Sequence, residues 1–168
     1  IIVAKILIDQ GFGISSLHGL LGVYEVPWIL SQLITALAFV IIINAYNFID
    51  GIDGLAVSET IKNLCFFVYI LMPNDPFYNL SLILLFICIP FYFFNFKKRR
   101  KIFLGDAGSL FLGGVNIIFL LHILNPNVIL NNLNDINKIL LSSAILFYPL
   151  LDLTRVVIIR LKNKKSPF

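Results

Sequence analysis

Long apolar runs are the feature of this sequence that most restricts its fold. Runs of nearly unbroken Ile, Leu, Val and Phe occur near residues 28–43, 55–72, 78–96, 110–125 and 139–160. A helix needs about 20 such residues to cross the hydrocarbon core of a bilayer. The composition agrees, because 59% of the residues are hydrophobic and only 13% are charged, against roughly 25% charged in soluble domains. We therefore predict an all-α, polytopic transmembrane helix bundle with five complete spans.

The N-terminal part of the chain predicts a partial sixth span followed by a loop. Residues 1–8 are apolar but lack the basic start and the cleavage site of a signal peptide, so we interpret them as the end of a helix. Residues 12–27 are interrupted by glycines and are too short for a span, which favours an outer hairpin or an interfacial loop. We expect 1–168 to be a single integral-membrane domain that is truncated at both ends.

Basic residues predict the orientation of the bundle. Ten of the thirteen Lys and Arg residues fall into two clusters, at 97–101 and 155–165, and both clusters lie at the ends of spans. The positive-inside rule places these ends in the cytoplasm. Counting spans back from the first cluster places 44–54 on the same face. The sequence "KKRRK" joins a span directly and lacks interleaved aromatic residues, so it predicts attraction to membrane lipids and no nucleic-acid binding.

The sequence "NAYNFIDGIDGLA", residues 44–56, places a polar side chain at every third position: Asn44, Asn47, Asp50 and Asp53. Positions three apart share one face of a helix or tight turn, so these oxygens can converge on a hard cation or a nucleotide. Ionisable groups at membrane depth also favour a function. A capping turn is the alternative, but it explains only Asp53, and the spacing does not match an EF-hand.

A second polar segment, "KKRRKIFLGDAGSLFLGG" at residues 97–114, sets Asp106 in a glycine-rich turn before an apolar helix. Backbone N–H groups at such a helix start attract phosphate. A carboxylate there is suited to hold a divalent cation that bridges to phosphate oxygens, and Lys101 is a candidate for a further phosphate contact. The alternative is that Asp106 or Ser109 is an ordinary N-cap.

Other polar side chains within the spans have structural interpretations. Glu59 with Lys62, and Asp152 with Arg155, are three residues apart and suited to pair within one helix, although Arg155 is also a candidate for a phosphate contact. We predict that the two cysteines are small buried hydrophobes and that the two histidines are structural, since neither has a partner at ligand spacing. These four residues are Cys65, Cys88, His18 and His122.

The two polar segments resemble the signatures of the polyprenyl-phosphate N-acetylhexosamine-1-phosphate transferases, which form glycosyltransferase family 4. "NAYNFIDGIDGLA" and "KIFLGDAGSLFLGG" occur in the order found in the family. Residues 147–168 resemble the segment before the histidine motif of the family, and "SSLHGLLGVYEVP" resembles an outer loop of its bacterial N-acetylglucosamine-type branch. Paired aspartates would precede Ile1 and the histidine motif would follow Phe168, so we expect this chain alone to be inactive.

The resemblance implies transfer of N-acetylhexosamine-1-phosphate, with the N-acetylglucosamine form expected, from a UDP-sugar to undecaprenyl phosphate. The products would be UMP and a lipid-linked pyrophosphoryl sugar, at the first membrane step of cell-wall or lipopolysaccharide O-antigen assembly. It also implies Mg²⁺, with Mn²⁺ as a substitute, and a multi-pass protein of the bacterial inner membrane with cytoplasmic active-site loops. A homodimer remains open.

The resemblance also assigns site residues. Asp106 would be a magnesium ligand and Asn47 a second one. Asn44, Asp50 and Asp53 would shape the nucleotide and pyrophosphate pocket, with the two acids among the catalytic residues. Gly105 and Lys101 would contact substrate.

Three other functions remain open at this stage. One is the phospho-N-acetylmuramoyl-pentapeptide transferase reaction of the same family. Another is a transporter or channel in which acids such as Glu59 and Asp152 line an ion path. The third is a truncated, non-catalytic relative that acts as a scaffold.

Overall fold

The computed structural model describes residues 2–19, 22–97, 102–131 and 135–163. Within these ranges the chain forms six helices joined by short connections. They are α1 (Ile2–Asp9), α2 (Trp28–Ile49), α3 (Leu55–Ile70), α4 (Pro76–Phe96), α5 (Gly105–Ile123) and α6 (Asp135–Lys162). Each of the five apolar runs falls largely within one helix, from α2 to α6. The prediction of an all-α membrane helix bundle is therefore confirmed.

Three of the described helices, α2, α4 and α5, are long and apolar enough to cross a membrane. Helix α3 has 16 residues, which corresponds to a length of about 24 Å, short of the roughly 30 Å hydrocarbon core. The predicted span 55–72 is thus a helix, but it ends two residues early, at Ile70. Helix α5 begins at Gly105, five residues before the predicted span 110–125, because the glycine-rich turn is itself helical.

Local sequence explains where the helices begin. Asp75 is the N-cap of α4, its carboxylate accepts a hydrogen bond from the backbone N–H of Phe77 at 2.8 Å, and Pro76 occupies the first helical position. Gly54 is the N-cap of α3 and has φ +76°. A Cβ on Gly54 would lie 3.1 Å from Tyr92 Cε2, so glycine there satisfies both the left-handed backbone and the close packing of α4.

Helix α2 lies at the centre of the bundle, against both α5 and α6, while α3 packs on α4. Helices α2 and α5 approach closely at Gly113, where a Cβ would lie 2.9 Å from Ile43 Cα and 3.1 Å from Tyr46 Cβ. Small residues allow helices in membranes to approach closely. The register of α2 on α5 therefore depends on a glycine at this position.

The segment before α2 forms a short antiparallel hairpin, one of the two forms predicted for residues 12–27. Backbone hydrogen bonds join Leu17 N–H to the Tyr24 carbonyl at 3.3 Å and Val26 N–H to the Ser15 carbonyl at 3.0 Å. His18 directly follows Leu17 and has φ +48°, and its ring nitrogen contacts the carbonyl oxygen of Leu124 at 3.0 Å. The hairpin is thereby attached to the C-terminal end of α5.

The predictions for the two histidines and the two cysteines, structural roles and burial respectively, agree with the structure in part. His122 pairs with Asp75 at 2.7 Å and its ring stacks on Phe77, so both histidines contact protein groups. Cys88 is buried as predicted, but the prediction is wrong for Cys65, which is exposed on α3. The apolar run that contains Cys65 includes an outward-facing side of the helix, which the run alone does not reveal.

Candidate active site

The two polar segments meet where the C-terminal end of α2 lies beside the N-terminal end of α5. The amide nitrogen of Asn47 is 3.0 Å from Ser109 Oγ and 3.5 Å from Asp106 Oδ1. Ser109 is buried, and its hydroxyl donates to the backbone carbonyl of Asp106 at 3.0 Å. Residues separated by about sixty positions in sequence thus share one small cluster, and Ser109 joins them.

Asp106 lies in the first turn of α5, where its charge is favourable beside the positive end of the helix dipole. The N-cap of this helix is Leu104, without a side-chain hydrogen bond, so neither Asp106 nor Ser109 is the N-cap. Gly105 has φ +68°, a conformation that glycine adopts without strain. Both Gly105 and Asp106 are exposed at this end of the bundle.

The remaining polar residues of the first segment lie on α2 and in the turn that follows it. Asp50 is the C-cap of α2, one helical turn beyond Asn47, and Asp53 is exposed in the turn that follows. Asp53 precedes the N-cap of α3, Gly54, so the capping alternative does not hold. The amide nitrogen of Asn44 donates to the carbonyl of Val40 in its own helix at 2.7 Å.

The segment that enters α5 is held by Asn95, near the end of α4. The Asn95 side chain is 3% exposed, and its amide nitrogen donates to the Ile102 carbonyl at 2.7 Å. Ile102 N–H in turn donates to the Phe94 carbonyl at 3.2 Å. Lys101, the predicted phosphate contact, lies outside the described residues.

Helix α6 brings a cation to the same end of the bundle. The guanidinium of Arg160 lies over the ring of Phe48, 5.5 Å from its centroid, which is a cation–π distance. Membership of the basic cluster 155–165 predicts orientation for Arg160 but does not single it out as a site residue. Arg155 instead pairs with Asp152 at 3.1 Å, and Lys62 pairs with Glu59, so both predicted intrahelical pairs form.

A layer of buried polar side chains lies beneath the cluster and was missed by sequence reasoning. The amide nitrogen of Asn63 donates to Tyr46 Oη at 2.9 Å and to Asn116 Oδ1 at 2.8 Å. Asn116 donates to Thr60 Oγ1 at 3.1 Å. Asn63 and Asn116 are amides within apolar runs, and that position is the signal by which they could have been found.

The residues of the Asn47–Asp106 cluster are compatible with a cation that also takes substrate phosphates as ligands. Among the described residues, no three His, Cys, Asp or Glu side chains group as a metal site. Asp106 supplies a carboxylate to the cluster, and the amide nitrogen of Asn47 faces it; Mg²⁺ is commonly held by one or two carboxylates together with phosphates and waters.

Comparison with known proteins identifies relatives over most of the chain. The family model of glycosyl transferase family 4 matches residues 1–124. A probable undecaprenyl-phosphate N-acetylglucosaminyl 1-phosphate transferase of Bacillus subtilis is 35% identical over 145 residues, covering 84% of this chain and 38% of that protein. A decaprenyl-phosphate N-acetylglucosaminephosphotransferase of Mycobacterium leprae is 32% identical over 185 positions, covering 98% of this chain and 46% of that protein.

A phospho-N-acetylmuramoyl-pentapeptide-transferase of Lactobacillus acidophilus is 44% identical over 73 residues, which is 42% of this chain and 22% of that protein. No solved structure matches the chain significantly. The chain spans less than half the length of these curated relatives. Because the family model covers well over half of the chain and includes both polar segments, the chain belongs to glycosyl transferase family 4.

Proposed function

We propose that this chain carries part of the active site of an enzyme that transfers N-acetylglucosamine-1-phosphate from its UDP-sugar to undecaprenyl phosphate. The products are UMP and a lipid-linked pyrophosphoryl sugar. The observation that carries the proposal is the contact of Asn47 with Asp106, which joins the two family segments in one cluster. The names of the Bacillus and Mycobacterium relatives, which align with 84% or more of the chain, favour N-acetylglucosamine as the sugar.

The cluster is suited to this reaction because it holds a carboxylate at the start of a helix. Transfer brings two phosphate anions together, and a bound Mg²⁺ would neutralise their charge and align them. Asp106 and Asn47 are the residues that would hold the ion. The hydrogen bonds from Asn47 to Asp106 and Ser109 orient these side chains, and the N–H groups in the first turn of α5 attract phosphate oxygens.

The other predicted site residues have secondary roles in this proposal. Asp50 and Asp53, in the turn after α2, border the nucleotide and pyrophosphate pocket together with Asn44. Gly105 allows substrate to approach the backbone, and Lys101 contacts phosphate. The end of the bundle that carries the Asn47–Asp106 cluster faces the cytoplasmic side of a bacterial inner membrane, because basic residues lie at that end.

The test is the transfer of radiolabelled N-acetylglucosamine-1-phosphate to undecaprenyl phosphate by the product of the whole reading frame, in membranes. Asp106→Asn is expected to abolish Mg²⁺-dependent product without reducing the amount of inserted protein. Glu25→Gln is a matched carboxylate-to-amide control, since Glu25 is exposed in the hairpin at the opposite end of α2. Full activity in Asp106→Asn would refute the metal role.

The same assay separates the proposal from the pentapeptide transferase reaction of the family. UDP-N-acetylmuramoyl-pentapeptide replaces the UDP-N-acetylglucosamine, with all other components unchanged. We expect product from UDP-N-acetylglucosamine and none from the pentapeptide substrate. The opposite preference would move the chain to the muramoyl-pentapeptide branch, to which the Lactobacillus relative belongs by name.

A further inference from the structure

The buried amide layer between α2, α3 and α5 consists of Tyr46, Thr60, Asn63 and Asn116. Each of these side chains is at most 1% exposed. The Asn63 amide nitrogen donates to both Tyr46 on α2 and Asn116 on α5, and the Asn116 amide nitrogen donates to Thr60 on α3. Three helices are therefore tied together by hydrogen bonds in an apolar interior.

The amide layer lies on the same helix interface as the Asn47–Asp106 cluster. On α5, residues 109, 113 and 116 follow one another at helical spacing, so Ser109, Gly113 and Asn116 form one stripe. Ser109 contacts Asn47, Gly113 abuts Ile43 and Tyr46, and Asn116 connects through Asn63 to Tyr46. Because Tyr46 directly precedes Asn47 in α2, a displacement of α2 that breaks the Tyr46–Asn63 hydrogen bond also moves Asn47.

Directional bonds fix the register of helices more narrowly than apolar packing does. A slide of one residue displaces a helix by about 1.5 Å, which is enough to break these hydrogen bonds. In coiled coils a single buried polar side chain specifies register at a cost in stability. Asn63 shows such a cost, because its Oδ1 is buried and accepts no hydrogen bond from the part of the chain that the structure describes. An apolar side chain at position 63 would avoid that cost, so the amide is better explained by the two contacts that it bridges.

We propose that Asn63 and Asn116 are positioning residues that hold Asn47 beside Asp106 and thereby set the affinity of the site for its divalent cation. The inference rests on the proposed function, since it assumes that Asp106 and Asn47 hold the ion. Neither Asn63 nor Asn116 touches substrate in this proposal. They act through Tyr46 and the α2–α5 interface.

The test uses the product of the whole reading frame, purified in detergent, and measures Mn²⁺ binding by electron paramagnetic resonance beside the Mg²⁺ dependence of transfer. The main variant is Tyr46→Phe/Asn63→Leu/Asn116→Leu, which removes the bridging polar groups together and so leaves no half-bonded amide. We expect it to insert and to unfold near the wild-type temperature. Its Mn²⁺ dissociation constant and its Mg²⁺ half-saturation concentration are both expected to rise at least about tenfold, as for partners that orient metal ligands.

Two further variants keep the test decisive. Tyr46→Phe removes one hydroxyl and retains the ring, so it covers the case in which the triple variant does not fold. We expect it to raise the Mn²⁺ dissociation constant as well, by a smaller factor than the triple variant does. Ser81→Ala is the control, because Ser81 is fully buried and, among the described residues, its hydroxyl bonds to a carbonyl of its own helix and not to another helix, and it should leave binding unchanged.

The outcomes separate the two proposals. If the wild-type protein binds no Mn²⁺ and shows no Mg²⁺-dependent transfer, the proposed function fails and the positioning role fails with it. If the wild type binds the ion and a folded Tyr46→Phe or triple variant binds it equally well, only the positioning role is overturned. A loss of thermal stability with unchanged Mn²⁺ affinity would likewise overturn it and leave the layer as helix packing.

Discussion

Replacing Gly113 with alanine tests how closely α2 and α5 must approach for the site to form. The new Cβ would lie 2.9 Å from Ile43 Cα, 3.1 Å from Tyr46 Cβ and 3.4 Å from the Ile43 carbonyl oxygen. Carbon atoms in ordinary contact are about 3.5–4.0 Å apart, so the helices must separate by about 0.6 Å or more. Two of the three opposing atoms are backbone, so no side-chain rotation relieves the clash.

The separation has a calculable effect on the site. The Asn47–Asp106 contact is already 3.5 Å long, and an increase of about 0.6 Å places it beyond hydrogen-bonding distance. Misplacing a catalytic group by about 1 Å costs up to a hundredfold in rate, so we expect Gly113→Ala to lower Mg²⁺-dependent transfer by roughly tenfold or more. Overpacking should also lower the free energy of unfolding by about 1–3 kcal/mol.

Gly114→Ala is the matched control for this prediction. It lies in the same helix, and a Cβ there would meet nothing within 4 Å. Both variants gain the same helix propensity, about 1 kcal/mol from glycine to alanine, so the difference between them isolates the clash. Thermal unfolding in detergent and the transfer assay are measured for both. Wild-type stability and activity in Gly113→Ala would refute the close approach and the reasoning built on it.

Three further predictions concern the site and the opposite end of the bundle. Gly105→Ala should lose about 1–2 kcal/mol of unfolding free energy from its left-handed backbone alone, because a Cβ there would meet nothing within 4 Å; an unchanged melting temperature would contradict this. His122→Leu should lower the free energy of unfolding by about 1–3 kcal/mol, since Oδ2 of the shielded Asp75 carboxylate loses the imidazole contact, while the Mg²⁺ dependence of transfer stays at the wild-type value. Chelation by EDTA should abolish transfer and added Mg²⁺ should restore it, and activity that survives chelation would exclude the proposed role of Asp106.

Local sequence patterns were sufficient to predict the helices and the meeting of the two segments. Apolar runs reveal membrane helices because the bilayer demands length and hydrophobicity from one continuous stretch. Counting spans then placed 44–54 and 97–109 on one face, and the Asn47–Asp106 contact agrees with that count. The start of α5 was predicted too late, because a glycine-rich turn with an acid reads as a loop although its first turn is helical.

The amide layer and the glycine contact could not be predicted in the same way, because they depend on pairs of residues far apart in the chain. Asn63 and Asn116 are 53 residues apart, and neither position taken alone indicates that the other is its partner. Gly113 likewise looks like one of several small residues in α5, although only the position of Ile43 on the neighbouring helix makes it necessary. Cys65 illustrates the same limit, since the direction of a side chain on an apolar helix is decided by which neighbours pack there.

The cluster owes its geometry to the ends of two packed helices rather than to a flexible loop. Asn47 is in the last turn of α2 and Asp106 is in the first turn of α5. Both side chains are therefore carried by helices that pack closely against each other at Gly113. Groups held on rigid elements need less reorganisation when charge develops on a substrate. Asp50 and Asp53 instead lie at and beyond the end of α2, where the backbone is a turn. We therefore expect mutations in the α2–α5 interface to change the affinity for the metal ion, and mutations in the 50–54 turn to change mainly the affinity for the nucleotide.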